Sequence, residues 1–223
     1  MIRENFSDTT IVIPTLNEEK NIGILIEKLK ALYPKVKIIV TDDGSTDRTR
    51  EIANTKGAIV VDRTEKRIKG ITAAVLDAVK LVSTEKMIVM DADFQHPPAK
   101  VGEIVEQLKE NEIVIAVRRK VLGHWGMIRK MESKIGTILA QLRLRKRIKD
   151  PLSGFFGIRT KTMQNTDKSR FELRCFKILF NILKNSGQGT KIGYVWYDFN
   201  MRLRGESKIS KKHIYYFVKN LLK

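Results

Sequence analysis

Apolar runs and helical repeats alternate along the first ninety residues of the chain. Residues 10–13 form a mainly apolar run that Pro14 ends, and residues 18–32 then carry apolar side chains at helical spacing. The same alternation predicts strands over 36–41, 58–61 and 87–90, and helices over 47–54 and 70–82. Alternation of this kind predicts an α/β fold, with a mainly parallel sheet flanked by helices on both faces.

The pattern continues through the second half of the chain. It predicts strands over 112–117 and 191–199, helices over 128–144 and 171–183, and a loop over 149–154. Neither an internal repeat nor a Pro/Gly/Ser-rich linker divides the chain, so one domain over residues 1–210 is expected. A separate basic amphipathic helix is expected over residues 211–223.

That last helix has one apolar face between basic side chains. The apolar face comprises Ile214, Phe217, Val218, Leu221 and Leu222. Such a helix can lie at a bilayer surface, and it can equally pack on its own domain. A dense basic run over residues 143–149 leaves the same two interpretations open, since cations also suit the end of a helix.

Composition and charge narrow the possible classes of protein. The chain has 223 residues, 42% of them hydrophobic, which is typical of a globular domain. Its longest stretch without charge has nine residues, far below the roughly 20 that span a bilayer. No signal-peptide pattern is seen, and the single Cys175 can form no internal disulfide, so a cytoplasmic setting is expected.

The net charge of +18 is very unevenly distributed. Residues 1–110 carry a net charge of −1, whereas residues 111–223 carry +19. A basic field of this size attracts phosphates, whether they belong to nucleic acid, anionic lipid or a phosphorylated substrate. Charge alone does not choose among these partners.

Polar segments follow three of the predicted strands. They are Pro14-Thr-Leu-Asn-Glu18, Asp42-Asp-Gly-Ser-Thr-Asp47 and Asp91-Ala-Asp-Phe-Gln-His-Pro-Pro98. Ligands of parallel sheets bind at the carboxyl ends of the strands, so the three segments should meet at one edge. An Asp-x-Asp there offers two hard oxygen ligands for Mg²⁺ or Mn²⁺ beside a diphosphate. Taken alone, that tripeptide fits a turn or a helix cap equally well.

Taken in this order, the three segments resemble glycosyltransferase family 2, and most closely its polyprenyl-phosphate (dolichol-phosphate) mannose synthases. Further segments fit the same family, namely Val117-Arg118, Asp150-Pro-Leu-Ser-Gly-Phe-Phe156 and Arg202-Leu-Arg-Gly-Glu-Ser-Lys208. The resemblance spans roughly residues 10–210 and implies the GT-A fold.

The resemblance also implies a set of site residues. The nucleotide-sugar donor would contact Pro14, Leu16, Glu18, Asp43, Asp91, Ala92, Asp93, Gln95, Arg118, Arg202 and Lys208. The metal would be held by Asp91, Asp93 and Gln95, the acceptor phosphate by Arg118, Arg129 and Ser153, and catalysis would rest on Asp93, Arg118 and Arg202. Leu16 stands where many relatives have an aromatic residue, so stacking under the base is not expected.

The implied reaction moves a hexose onto a dolichyl or polyprenyl phosphate at the cytoplasmic face of a membrane. A phosphate acceptor is already ionised near neutral pH, with a second pKa of about 6, so it needs no general base. Direct displacement would invert the anomeric centre, so an α-linked donor would give a β-linked lipid. Mannose from GDP-mannose is the first expectation and glucose from UDP-glucose the second. The chain would sit peripherally on the bilayer or be held by a separate membrane subunit.

Other interpretations remain beside this one. Nucleotidyl transfer would be expected to need a Gly-rich loop after the first strand, and none is present. A non-catalytic RNA- or membrane-binding module fits the basic half, but an acidic edge would repel nucleic acid, so no nucleic-acid partner is expected. Asp42 fits a structural turn as well as donor binding. His96 is expected to pack in a loop, and Cys175 to be buried in a helix.

Overall fold

The computed structural model describes residues 6–121, 127–187, 189–204 and 211–222, apart from the side chains of 121, 127–133 and 211–213. The strands are β1 (Thr9–Thr15), β2 (Lys37–Asp42), β3 (Ile59–Asp62), β4 (Lys86–Val89), β5 (Ile113–Val121), β6 (Phe156–Arg159) and β7 (Ile192–Phe199). The helices are α1 (Glu19–Leu32), α2 (Thr49–Thr55), α3 (Ile71–Val79), α4 (Val101–Gln107), α5 (Met127–Leu144), α6 (Thr160–Asn165), α7 (Ile178–Asn185) and α8 (Lys211–Leu222). Short 3₁₀ turns cover Phe6–Asp8 and Pro98–Lys100.

The described strands form one mixed sheet in the order β3-β2-β1-β4-β6-β5-β7. Neighbouring strands are parallel except at β6, which runs antiparallel to both β4 and β5. Every strand except β6 therefore ends at the same edge of the sheet. That edge receives the loops after β1, β2 and β4, which carry the three polar segments.

Both faces of the sheet are buried because successive strand residues point to opposite sides. Ile11 belongs to a core formed with α1 and α4, whereas its neighbour Val12 belongs to a core formed with α3 and α7. Burial on both sides explains why the strands are continuous apolar runs. The sequence-predicted α/β sheet flanked by helices is confirmed.

Three elements were not predicted from the sequence. They are β6, α4 and α6, none of which exceeds seven residues. Elements of one or two turns, or of four strand residues, give too few repeats for a period to be recognised.

The predicted helix over residues 171–183 is wrong in its first half, because α7 begins only at Ile178. The backbone N–H groups of Thr72 and Ala73 donate to the carbonyls of Cys175 and Leu173, which are thus engaged outside any helix. The Thr72 hydroxyl also donates to the Cys175 carbonyl at 2.6 Å. Cys175 is buried, but in this irregular segment and not in a helix.

Gly157, in β6, lies in a closely packed part of the core. A Cβ atom there would come within 2.9 Å of Ile88 Cδ1 and Leu108 Cδ1, and closer still to Ile104. We expect Gly157→Ala to lower the free energy of unfolding by about 1–3 kcal/mol, because a packed core cannot admit the extra methyl group. Urea unfolding followed by circular dichroism measures the change.

The matched control is Gly189→Ala, where a Cβ would have no neighbour within 4 Å. Equal stability of the two variants would show that the sheet yields easily at β6.

Candidate active site

A pocket of about 280 Å³ opens at the edge of the sheet where the parallel strands end. The predicted site residues that line it are Pro14, Leu16, Glu18, Asp43, Asp91, Ala92, Asp93, Gln95, Arg118, Ser153 and Arg202. Lys208 and the side chain of Arg129 lie outside the described residues. The topology thus gathers residues from both halves of the chain around one cavity.

The acidic wall of the pocket is the loop after β4. An Nη atom of Arg202 lies 2.8 Å from Oδ2 of Asp93, and the other lies 3.4 Å from the Glu18 carboxylate. The backbone supports this arrangement, because Leu203 N–H donates to the Asp93 carbonyl and Asn200 N–H to the Gln95 carbonyl. Arg202 is therefore held directly over the Asp-x-Asp segment.

Both carboxylates of that segment hold protons more tightly than usual. Desolvation raises the pKa of Asp91 to about 6, although the positive charges of Lys177 and Arg202 act in the opposite direction. Desolvation and the negative charge of Asp91 likewise raise the pKa of Asp93. The negative charge of Asp91 opposes ionisation of Asp93, and a bound cation would offset this repulsion.

The donor set suits a hard divalent cation. Two carboxylates and the Gln95 amide oxygen are the ligand types that Mg²⁺ and Mn²⁺ prefer. The Gln95 amide nitrogen donates to the Asn200 carbonyl at 3.3 Å, an orientation that leaves its oxygen for another partner. The described residues contain no cluster of three His, Cys, Asp or Glu side chains, so further ligands would have to come from elsewhere, such as a diphosphate.

Asp43, at the end of β2, is held by a buried arginine. Arg63 is only 2% exposed; its guanidinium pairs with the Asp43 carboxylate and, at 2.9 Å, with Asp77. The other Asp43 oxygen accepts the Gly70 N–H at 2.6 Å. Asp43 thus faces the pocket in a fixed orientation, and Arg63 and Asp77 are a network that sequence reasoning missed.

Asp42 has a structural role in the same segment. One oxygen accepts the Gly44 and Ser45 N–H groups at 3.1 and 2.7 Å, and the other accepts the Thr15 hydroxyl at 2.9 Å. The side chain is fully buried and does not line the pocket. Of the two interpretations of Asp42, the structure favours the turn.

The predicted acceptor ligands Arg118 and Ser153 both have protein partners. Arg118 forms a bidentate ion pair with Asp150, with both N–O distances at 2.7 Å. The Ser153 hydroxyl donates to the Ala116 carbonyl at 2.7 Å. Both residues reach the pocket, yet their polar atoms are largely engaged within the protein.

Lys177, Phe176, Tyr197 and Phe199 also line the pocket and were not predicted. Desolvation, together with the positive charge of Arg118, lowers the pKa of Lys177 to about 8. Phe176 and Lys177 fall in the segment that was wrongly predicted as helix, so no sequence signal placed them here.

His96 forms part of the pocket floor. It is 2% exposed, stacks on Phe155 and accepts the Asp91 N–H at Nδ1. Burial lowers its pKa to about 4, which keeps the ring neutral and able to accept that hydrogen bond. This hydrogen bond and the stacking on Phe155 hold the backbone of the Asp-x-Asp loop in place.

The sequence profile of Glycosyl transferase family 2 matches residues 10–166, which is more than half of the chain. The chain belongs to glycosyltransferase family 2. A dolichol-phosphate mannosyltransferase from Pyrococcus furiosus is 33% identical over 95% of this chain. A protein of the same name from Saccharomyces cerevisiae is 28% identical, over 95% of this chain and 85% of its own length. The chain spans 62% of the Pyrococcus relative's length.

Solved structures share the family fold at lower identity. Glucosyl-3-phosphoglycerate synthase from Mycobacterium tuberculosis, in complex with Mn²⁺ and UDP, superposes with a TM-score of 0.67 at 24% identity, covering 96% of this chain and 79% of that one. Mannosyl-3-phosphoglycerate synthase from Rubrobacter xylanophilus gives 0.72 at 20% identity, covering 96% of this chain and 72% of that one. The GT-A fold implied by the sequence motifs is confirmed.

The Asp43–Arg63–Asp77 network gives a direct test of the site's architecture. We expect Arg63→Met to lower the free energy of unfolding by about 3–5 kcal/mol, because it leaves two carboxylates facing each other without their shared cation. Urea unfolding measures the loss, and nucleotide binding by calorimetry should weaken as Asp43 loses its orientation.

Arg48→Met is the control, because Arg48 forms a solvent-exposed pair with Glu51, and such pairs contribute little to the free energy of unfolding. A similar loss in both variants would contradict a special role for the buried network.

Proposed function

We propose that this family member transfers mannose from GDP-mannose to a dolichyl or polyprenyl phosphate, with Mg²⁺ or Mn²⁺ as cofactor and with inversion. The observation that carries the proposal is the pocket in which Asp91, Asp93 and Gln95 face Arg202. That arrangement suits a nucleoside diphosphate leaving group, and the relatives named dolichol-phosphate mannosyltransferase support the choice of sugar and acceptor.

The cofactor would be held by Asp91, Asp93 and Gln95, where it supplies Lewis-acid stabilisation of the diphosphate. Arg202 stands beside the same position and adds a second positive charge for the leaving group. Glu18 fixes the other side of the Arg202 guanidinium and thereby orients it. Asp43, held by Arg63, would orient the nucleoside.

The acceptor needs no deprotonation by the protein, because a phosphate monoester is largely dianionic above its second pKa of about 6. One of its oxygens forms the new bond to the anomeric carbon while the bond from that carbon to the nucleoside diphosphate breaks. The protein's contribution is to place that oxygen in line and to stabilise the departing charge. An α-linked donor would thus give a β-linked lipid.

A transfer assay tests the proposal, with purified protein, a short polyprenyl phosphate in detergent and a labelled sugar nucleotide. GDP-mannose and UDP-glucose are compared in parallel, each with and without EDTA. Labelled lipid from GDP-mannose that EDTA abolishes is the expected result. Label from UDP-glucose alone would overturn the assignment of the sugar, and an α-linked product would overturn the inversion. Absence of any product together with absence of nucleotide binding would favour a non-catalytic module.

Asp93→Asn tests the contribution of the acidic wall of the pocket to transfer. We expect transfer to fall by on the order of 10²-fold or more, because the change removes the charge that a divalent cation and Arg202 both need. Initial rates of labelled-lipid formation measure the effect. Asp167→Asn, in an exposed surface turn, is the control and should retain full activity. Unchanged transfer by the Asp93 variant would exclude the proposed metal site.

We propose further that the protein lies on the cytoplasmic face of the membrane through α5 and α8. Among the described residues no helix is long and apolar enough to cross a bilayer. The inner faces of the two helices pack together, with Ala140, Leu144, Phe217 and Leu221 in one cluster with Phe180. The single Cys175, which can form no internal disulfide, favours the reducing cytoplasmic side.

The outer faces of α5 and α8 carry large exposed apolar side chains. They are Ile135, Ile138, Leu139 and Leu142 on α5, and Ile214, Tyr215, Val218 and Leu222 on α8. Leu142 is 69% exposed and Leu222 83% exposed. Exposed basic residues, including Lys134, Arg143 and Lys219, border this surface, as expected for contact with anionic lipid headgroups.

Vesicle flotation tests this membrane surface. We expect the double variant Leu142→Gln, Leu222→Gln to bind vesicles of mixed neutral and anionic phospholipid at least tenfold more weakly than the wild type, because it removes apolar area from the interface. Leu81→Gln changes a side chain that is 52% exposed just after α3 and serves as the control. Equal weakening by both variants would argue against a surface confined to α5 and α8.

A further inference from the structure

One wall of the pocket carries a cation without a carboxylate partner in the described part of the chain. Arg118 is paired with Asp150, and Arg202 with Asp93 and Glu18. Lys177, by contrast, has no described carboxylate oxygen within 4 Å, and its Nζ lies 4.8 Å from the centre of the Phe176 ring. Among the described residues that line this wall, Lys177 is thus a cation without a direct ion pair.

The same part of the pocket holds a buried hydroxyl without a partner. Tyr197 is 2% exposed, and its hydroxyl makes no hydrogen bond of ordinary geometry within the described residues. The Ser153 hydroxyl lies close to it but already donates to the Ala116 carbonyl. Buried polar atoms in native proteins are rarely left without a partner. An ammonium group and a free hydroxyl on one pocket wall form a site for an anion with several oxygens.

Charged neighbours place the two groups in the same region. Lys177 and Tyr197 both lie within electrostatic range of Arg118, Asp150 and Asp91. Burial and Arg118 lower the pKa of Lys177 to about 8, and an added anion would counteract that shift. The region thus lies near both the Asp91 carboxylate, which would face the donor diphosphate, and the Arg118–Asp150 pair.

The wall that carries Lys177 also lies against the two helices with exposed apolar faces. The Phe176 ring packs on Phe217 of α8, with centroids 6.2 Å apart. Leu152, another residue of the pocket, packs closely on Gly136 of α5, where an added Cβ would lie 3.3 Å from Leu152 Cδ1. A phosphate attached to a membrane-bound chain would approach the pocket from this side.

We propose that the Lys177 ammonium and the Tyr197 hydroxyl bind the phosphate of the lipid acceptor. The inference rests on the proposed function and assigns two binding residues that neither the sequence motifs nor the resemblance indicated. Lys177 supplies the charge and Tyr197 a directional hydrogen bond. Ser153 and Arg118, whose polar atoms are engaged with other protein groups, form the surrounding framework.

Steady-state kinetics of three variants test the assignment. Lys177→Met removes the charge, Lys177→Arg keeps it, and Tyr197→Phe removes only the hydroxyl. Initial rates are measured over a range of short polyprenyl phosphate concentrations at saturating GDP-mannose, and GDP binding is measured by calorimetry in the presence of Mg²⁺. Lys161→Met, which changes an exposed lysine on α6, is the matched control.

We expect Lys177→Met to raise the KM for the acceptor by roughly 10- to 100-fold and Tyr197→Phe to raise it by about 10-fold, as lost hydrogen bonds to a charged group would. Lys177→Arg should recover most of the loss. GDP affinity should stay within about twofold in every variant, which also shows that each one folds. The control should keep the wild-type KM.

Two results would overturn the assignment. If the acceptor KM is unchanged in Lys177→Met and Tyr197→Phe, the two groups do not bind the phosphate. If GDP affinity or the donor KM changes instead, the groups serve the donor. Absence of transfer by the wild type is a different outcome, since it refutes the proposed function and this inference with it.

Discussion

Carboxylates that converge at one edge of a sheet repel one another, and the fold has to supply a cation for each cluster. Three arginines do so from different parts of the chain: Arg63 for Asp43, Arg118 for Asp150 and Arg202 for Asp93. Each arginine forms at least two polar contacts, so each of these three carboxylates is paired with a cation and fixed in direction. The shape of the pocket depends on these pairs.

The asymmetry of charge along the sequence follows from this arrangement. The first half of the chain supplies most of the acidic loops. The basic second half contributes β5 and β7, which place Arg118 and Arg202 at the same edge of the sheet. Antiparallel β6 makes this return possible, because it joins β4 to β5 within a single sheet. A net excess of positive charge then remains on the outer surface, where it borders the apolar faces of α5 and α8.

Much of the fold could be predicted from the sequence because its strongest signals are local. The long buried strands and helices such as β1 and α1 show their period directly, and the polar residues after each strand indicated the pocket. Arg63, Asp77 and Lys177 gave no such signal. Arg63 contacts residues 14 and 20 positions away. Lys177 lies just before α7, in an irregular segment whose Leu173 and Cys175 carbonyls accept hydrogen bonds from the first turn of α3. Contacts between distant segments have no period along the sequence.

The position of Arg202 over Asp93 has a thermodynamic consequence. The arginine and a divalent cation would compete for the same carboxylate oxygen, so a cation that enters alone would have to separate an existing ion pair. A nucleoside diphosphate offers Arg202 a new anionic partner and removes that penalty. The two ligands would then each raise the affinity of the other by the same factor, as linkage requires. Cofactor and donor would accordingly bind cooperatively, each more tightly in the presence of the other.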